Sequence, residues 1–274
     1  MAAPVSEVSS TITSGPISGD SKPASSLSPP PCKIILRPTR LSDTSQIAIH
    51  KKNAYWNSPL NQFLCPRREE DPEQVVRMHK QSTIRHFLSP NSFVLSAVLA
   101  ENPIVCVGSL QCSRVGDSTA SKQYIKSKGL LTRSLHWILS WFFWAWFKIE
   151  NLVWKDRVTD FGNLKQLDNS IELDGQTYWK SHEERRDRWH VNSLVIDPAW
   201  QGKGIGRLLM DVILQRAQKE GVPIGLSASP HGELLYRKLG FECLGDFHMR
   251  VERSQGGGIF IWYPEGWQES RKAK

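Results

Sequence analysis

Five cysteines in 274 residues, at positions 32, 65, 106, 112 and 243, are never spaced as CxxC. That scatter excludes a zinc site built on cysteine pairs and offers no disulfide framework. Free thiols in a reducing, cytoplasmic setting are the expectation, and no metal site is expected. Basic runs are also missing. The formal net charge is +8, yet no five consecutive residues are Lys or Arg, so nucleic acid is not an expected partner. The surplus suits anionic lipid or a polyanionic cofactor instead. The N-terminus has no basic stretch followed by an apolar one, so no secretory signal is expected. No apolar run reaches the roughly twenty residues of a membrane span, and no internal repeat is visible.

What is present reads as one large domain. Apolar residues at 39% and charged residues at 23% are ordinary for a globular chain; eleven tryptophans are not. Residues 1–31 are rich in Ser, Pro, Thr and Ala and end in Pro29-Pro30-Pro31. They cannot bury enough apolar surface to offset ordering, and a disordered tail is expected. Residues 268–274 form a short basic tail.

Between the tails, the punctuation sets the elements. Lys33–Leu36 reads as a first strand closed by Arg37-Pro38, and Leu41-Ser42-Asp43 as a helix cap. A second helix is expected over Asp71–Leu88 and is stopped by Pro90-Asn91. Ser92–Leu99 and Ile104–Gln111 read as a hairpin. An insertion over 113–188 follows, much longer than an ordinary connection. Strand signals return at His190–Ile196. A helix over Ile205–Lys219, a strand at Ile224–Ala228, a helix at Glu233–Leu239, a strand from Phe241 extending to Val251 and a last strand at Ile259–Tyr263 complete the order. The fold class is α+β (mixed α/β).

Chemistry concentrates in Leu194-Val195-Ile196-Asp197-Pro198-Ala199-Trp200-Gln201-Gly202-Lys203-Gly204-Ile205-Gly206-Arg207. A strand meets a proline stop, and three alternate glycines then open an amphipathic helix. Glycines let backbone N–H groups converge on an anion, and the helix N-terminus adds partial positive charge. Lys203 and Arg207 bring full charges, and the turn suits a pyrophosphate. A P-loop would need Ser or Thr after Lys203, and a dinucleotide fingerprint would need GxGxxG; neither is present.

This stretch resembles motif A of the GNAT superfamily of acyl-CoA-dependent N-acetyltransferases, with Gln201, Gly204 and Gly206 at the signature positions and Leu194, Ile196 and Pro198 in the preceding element. The resemblance implies a mostly antiparallel twisted sheet, splayed at the motif A strand and flanked by helices, over about residues 32–267. It also implies that Leu194, Val195 and Ile196 meet the pantetheine arm, and that Gln201, Gly202, Lys203, Gly204, Ile205, Gly206 and Arg207 hold the pyrophosphate. Acetyl-CoA would be a cosubstrate, with no tightly bound cofactor.

Ser229-Pro230-His231-Gly232-Glu233-Leu234-Leu235-Tyr236 and Gly240-Phe241 resemble the family's motif B, departing from it at Ser229 and Gly232. Tyr236 falls at the position of the acid. A phenol, with a pKa of about 10, can protonate a departing thiolate and remain neutral at rest. Many relatives carry a Glu base on the strand leading into motif A, where this chain has Asn192 and Ser193. His190 is the candidate base on that strand, with His182, Glu183 and Glu184 or a water chain as alternatives.

Within the insertion, Leu135–Phe147 would be apolar nearly all round as a helix. Such a helix is buried or meets lipid. Residues 130–154 therefore read as a lid over the acceptor cleft, an interfacial membrane helix or a dimer surface. A lid of that kind favours an apolar or aromatic amine. The expected function is direct acetyl transfer from acetyl-CoA to a small amine. The alternative is a non-catalytic CoA-binding or membrane-associated regulator with the same fold.

Overall fold

The computed structural model describes residues 9–10, 33–251 and 256–267. A two-residue strand, Ser9–Ser10 (β1), pairs with Ile34–Pro38 (β2). The rest of the N-terminal tail and residues 268–274 lie outside the described residues. Asp43 does not cap the next helix through its side chain. It grips both arms of the Arg37 guanidinium at 2.7 and 2.9 Å and accepts the Arg40 N–H, which fastens the end of β2 to the helix entry.

Helices Thr44–Tyr55 (α1), Pro59–Leu64 (α2) and Pro72–Leu88 (α3) follow. The short α2 was not expected from the sequence; Ser58 caps it by accepting the Asn61 N–H at 3.2 Å. Asp71 caps α3 by accepting the Gln74 N–H at 3.0 Å, with Pro72 in the first turn, where a missing N–H costs nothing. The hairpin forms from Ser92–Leu99 (β3) and Cys106–Val115 (β4), the latter running four residues beyond the expected end.

The insertion is helical: Thr119–Ser127 (α4), Leu130–Val153 (α5), Phe161–Asp174 (α6), a wide turn of π-helix at Gly175–Lys180 and Glu183–Arg186 (α7). Its two ends meet, because Val115 and Arg188 are partners across β4 and Arg188–Ile196 (β5). Arg114, fully buried, clamps that junction through Asp187 at 2.8 Å and Glu220 at 3.1 Å.

Ile205–Glu220 (α8), Ile224–Ala228 (β6), Pro230–Lys238 (α9), Glu242–Gly245 (β7) and Gly258–Trp262 (β8) complete the chain. The strand expected to reach Val251 ends at Gly245. The sheet order is β1-β2-β3-β4-β5-β6-β8-β7, and every neighbouring pair is antiparallel except β5–β6. This is the mixed α/β, mostly antiparallel sheet that was expected. On one face α8 buries Ile205, Leu209, Met210 and Ile213 against Leu110, Trp189 and Val191. On the other, α1 sets Ile47 against Val98, Cys106 and Val195.

Candidate active site

The parallel pair β5–β6 holds register only from Trp189 opposite Ile224 to Val191 opposite Leu226. Beyond that β5 stays with β4 and leaves β6, so the sheet opens into a V. A bulge begins the opening: Gln111 faces Ser193 while Cys112 faces Val191, leaving Asn192 as the extra residue. Backbone groups of Leu194 and Ile196 on the β6 side therefore have no strand partner. The side chains of Leu194 and Ile196 pack toward α8, whereas Val195 is buried toward α1. Val195 offers the V little, since its side chain is buried and its backbone lies in the ladder opposite Ser109.

At the mouth of the V lies the glycine turn. Gly202 and Gly204 have φ of 74° and 77°, a conformation that L side chains rarely adopt, and a Cβ at either would meet no atom within 4 Å. α8 starts immediately afterwards with no side-chain cap, so its first N–H groups point into this open space. Ile205 is buried as an anchor, while Lys203 and Arg207 are exposed. Lys203 sits 4.4 Å above the Trp200 ring. Gln201 does something the sequence did not suggest. Its Nε2 donates to the Ile196 carbonyl at 3.1 Å, pinning the strand end to the turn.

Tyr236, on α9, is buried and packs edge-on against Phe241 at 5.6 Å. Burial pushes its pKa well up, with Tyr55 and Cys112 adding to the shift. The phenol is thus a neutral donor throughout the physiological range. The two departures in this motif have local reasons. Ser229 caps α9 by accepting the Gly232 N–H at 3.2 Å. A Cβ at Gly232 would lie 3.2 Å from the Tyr236 ring, so glycine gives the ring its place.

His190 faces the α1 side of the sheet, edge-on to Trp179 at 5.8 Å. Its Nδ1 is enclosed with no hydrogen-bond partner. Burial, and then Arg188, push the ring's pKa down to about 3. It is neutral at physiological pH and can accept a hydrogen bond, but it is too weak a base to retain a proton. His182 and Glu184 pair with each other at 3.4 Å, and Glu184 also meets Arg185.

A polar strip runs along the same face of β4 and β5, and sequence reasoning missed it. Strand pairing puts Ser109, Gln111 and Ser113 opposite Val195, Ser193 and His190. From α1, Lys51 donates to Gln111 Oε1 at 3.1 Å and Thr83 Oγ1 at 3.2 Å. Burial lowers the pKa of Lys51 to about 8. The Tyr55 hydroxyl lies 3.5 Å from Ser193 Oγ, with His79 edge-on to its ring at 6.1 Å. Burial, then Lys51, lower the pKa of His79 to about 4. Ser109 Oγ, Gln111 Nε2, His79 Nε2 and His190 Nδ1 are all buried without a partner. Buried polar atoms are nearly always satisfied, so four orphans on one strip mark a place where a polar ligand fits.

Among the described residues no cluster of His, Cys, Asp or Glu could hold a metal ion. Cys65, Cys106, Cys112 and Cys243 are free thiols, and Cys32 lies outside the described residues.

Comparison with known proteins matches residues 173–250 to the acetyltransferase (GNAT) domain, a stretch that holds both the glycine turn and Tyr236. An uncharacterized N-acetyltransferase of Halalkalibacterium halodurans is 28% identical over 110 residues, 39% of this chain and 59% of that protein. This chain thus spans less than two thirds of that relative. Solved structures of similar shape include a histone acetyltransferase HPA2 and related acetyltransferase from Corynebacterium glutamicum. It is 15% identical with a TM-score of 0.49 over 84% of this chain and 94% of that one. Another is the PaiA N-acetyltransferase of Thermoplasma acidophilum in complex with coenzyme A, 11% identical with a TM-score of 0.44 over 84% and 98%. Residues 173–250, which match the acetyltransferase (GNAT) domain, lie across the splayed strand, the glycine turn and the tyrosine helix.

Proposed function

We propose that this protein transfers an acetyl group from acetyl-CoA directly to the amine of a small molecule. One observation carries the reading: the glycine turn, open over the N-terminus of α8, stands at the mouth of a V in the sheet, with a buried, neutral Tyr236 on the adjacent helix. The coenzyme's pyrophosphate would meet the first-turn N–H groups and Lys203 or Arg207. Its pantetheine arm would complete the missing pairing of Leu194 and Ile196. The amine attacks the thioester carbonyl, the C–S bond breaks, and Tyr236 protonates the departing thiolate.

The amine arrives as an ammonium and must lose a proton before attack. Lys51 is the group on the polar strip whose pKa, about 8, suits taking it. His190, held near 3, serves better as a hydrogen-bond acceptor that orients the substrate. The expectation of an apolar or aromatic acceptor rested on α5 acting as a lid. The strip's unpartnered atoms support an amine that also carries hydrogen-bonding groups, with Trp179 beside His190 left to meet an apolar part.

Thiol release from acetyl-CoA with a panel of polar and aromatic amines tests the reading. Amine-dependent release, abolished with Tyr236→Phe, is the expected outcome. Tight CoA binding without turnover across the panel would favour the non-catalytic regulator.

A further inference from the structure

Helix α5 carries most of the exposed large hydrophobic side chains among the described residues. One side packs inward: Phe147 is buried and Leu139 and Phe143 are half-buried against Leu41, Ile84, Phe87 and Leu88. Gln81 of α3 donates to Glu150 and Asn151 at 2.8 and 3.0 Å. These partners belong to α3 and the α1 entry rather than to the V, so α5 does not lie over the acceptor cleft as a lid would. The opposite side is bare. Trp137, Ile138, Trp141, Phe142, Trp144 and Trp146 are each between 48% and 65% exposed. At 100° per residue, the exposed apolar positions from Leu130 to Val153 cover a little over half of the helix circumference. Water would not tolerate that area on a monomer, and something covers it.

Charge and geometry choose the occupant. Residues 119–157 hold seven Lys or Arg against two Asp or Glu. Both acids are engaged inward, Glu150 with Gln81 and Asp156 with the backbone N–H groups of Val158 and Thr159. Lys122, Lys126, Arg133, Lys148, Lys155 and Arg157 are exposed. A second copy of so cationic a face would be repelled. No helix among the described residues is long and apolar enough to cross a membrane. Tryptophan prefers the boundary between headgroups and acyl chains, and a broad apolar arc with basic flanks is the pattern of a helix lying in that boundary. Between α3 and α5 a cleft of about 420 Å³ is lined by Ile84, Leu88, Phe143 and Phe147, with the exposed Arg85 and Lys148 beside them. An acyl chain beneath an anionic headgroup would match it.

We infer that α5 docks the protein on an anionic lipid surface, its Trp137–Trp146 face lying in the headgroup boundary without spanning the bilayer. This inference is independent of the acetyl-transfer reading, since none of its residues lines the V.

The test uses the full chain with vesicles of phosphatidylcholine alone and of phosphatidylcholine with phosphatidylserine. The protein should co-sediment with the anionic vesicles, its tryptophan emission shifting to the blue. Replacing both Trp141→Ser and Trp144→Ser should lower partitioning by at least about tenfold. The helix's inward contacts are untouched, so far-UV circular dichroism should not change. Added salt should weaken binding through the basic flanks. A full chain that stays in the supernatant with both vesicle types overturns the inference. So does a concentration-dependent dimer in sedimentation velocity that the double substitution dissociates while vesicle binding is unchanged. Thiol release with a soluble amine should be the same in wild type and variant, so a failure of docking reads separately from a failure of acetyl transfer.

Discussion

Replacing Lys51 by methionine should make the folded protein more stable at pH 7 and less active. The side chain is almost fully buried, and burial takes its pKa from the ordinary 10.5 down to about 8. At 1.36 kcal/mol per pH unit, that fall corresponds to about 3 kcal/mol by which folding disfavours the ammonium. The sign follows from proton counts. The unfolded chain binds more protons at this residue between about pH 8 and 10.5, so wild-type stability rises with pH across that window. Below pH 8 both states are protonated and the full penalty is present. Methionine removes the penalty but also removes the hydrogen bonds to Thr83 and Gln111, each worth about 1 kcal/mol. A net gain of about 1–2 kcal/mol is expected at pH 7, shrinking and changing sign by about pH 10. Urea unfolding of both proteins at pH 7 and pH 10 measures it. In parallel, wild-type kcat/KM should rise through about pH 8, and the variant should lose about 10²-fold of it. A variant that is less stable at pH 7, or a stability difference that does not move with pH, refutes the assignment of a strained buried lysine. Full activity in a stabilised variant refutes its role with the amine.

Gly204→Glu places a side chain at φ 77° and a negative charge where the pyrophosphate would sit. Calorimetric CoA affinity should fall by about two orders of magnitude or more, with a stability loss of only about 1–2 kcal/mol. Tyr236→Phe keeps the packing against Phe241 but removes the proton, so kcat should drop about 10²–10⁴-fold in stopped-flow turnover with CoA affinity unchanged. His190→Gln keeps a hydrogen-bonding group, and it should raise KM for the amine while leaving the pH profile in place; a lost ionisation near neutrality would instead make His190 the base. Arg114→Met leaves Asp187 and Glu220 without their shared cation, and about 3 kcal/mol of stability should disappear in denaturant titration.

The elements legible in the sequence are those with hard punctuation. Ser92–Leu99 and Ile224–Ala228 form over the residues expected, because a proline, asparagine or glycine turn bounds each. The glycine turn was legible for the same reason, since its chemistry lies in consecutive residues. The expected strand does not run through Gly245: its φ is 159°, a Cβ there would lie 2.5 Å from the Tyr178 hydroxyl, and β7 ends as the chain turns toward His248, which is held by Asp174 of the insertion. The polar strip was illegible because Lys51, Tyr55, His79, Gln111 and Ser193 come from four elements and meet only through the β4–β5 register and the packing of α1 on α3. His79 shares the helical spacing of Val75 and Met78 on α3. Periodicity cannot separate a buried polar position from a core one when both face inward. The helicity of α5 was legible from composition, but which side it would leave bare was decided by tertiary packing.

The Arg114 clamp also bears on how such a chain can diversify. Val115 and Arg188 sit side by side, so the 72 residues between them leave and rejoin the sheet at a single point. Closing a loop costs little more for seventy residues than for a dozen, since the entropy grows only with the logarithm of length. The segment's length therefore costs the strands little, provided Asp187 still meets Arg114 and Trp179 keeps its packing on Ile259 and Ile261. The sheet that carries the glycine turn and the helices between Val115 and Arg188 meet at one junction, so the inserted helices can vary in length without moving the strands.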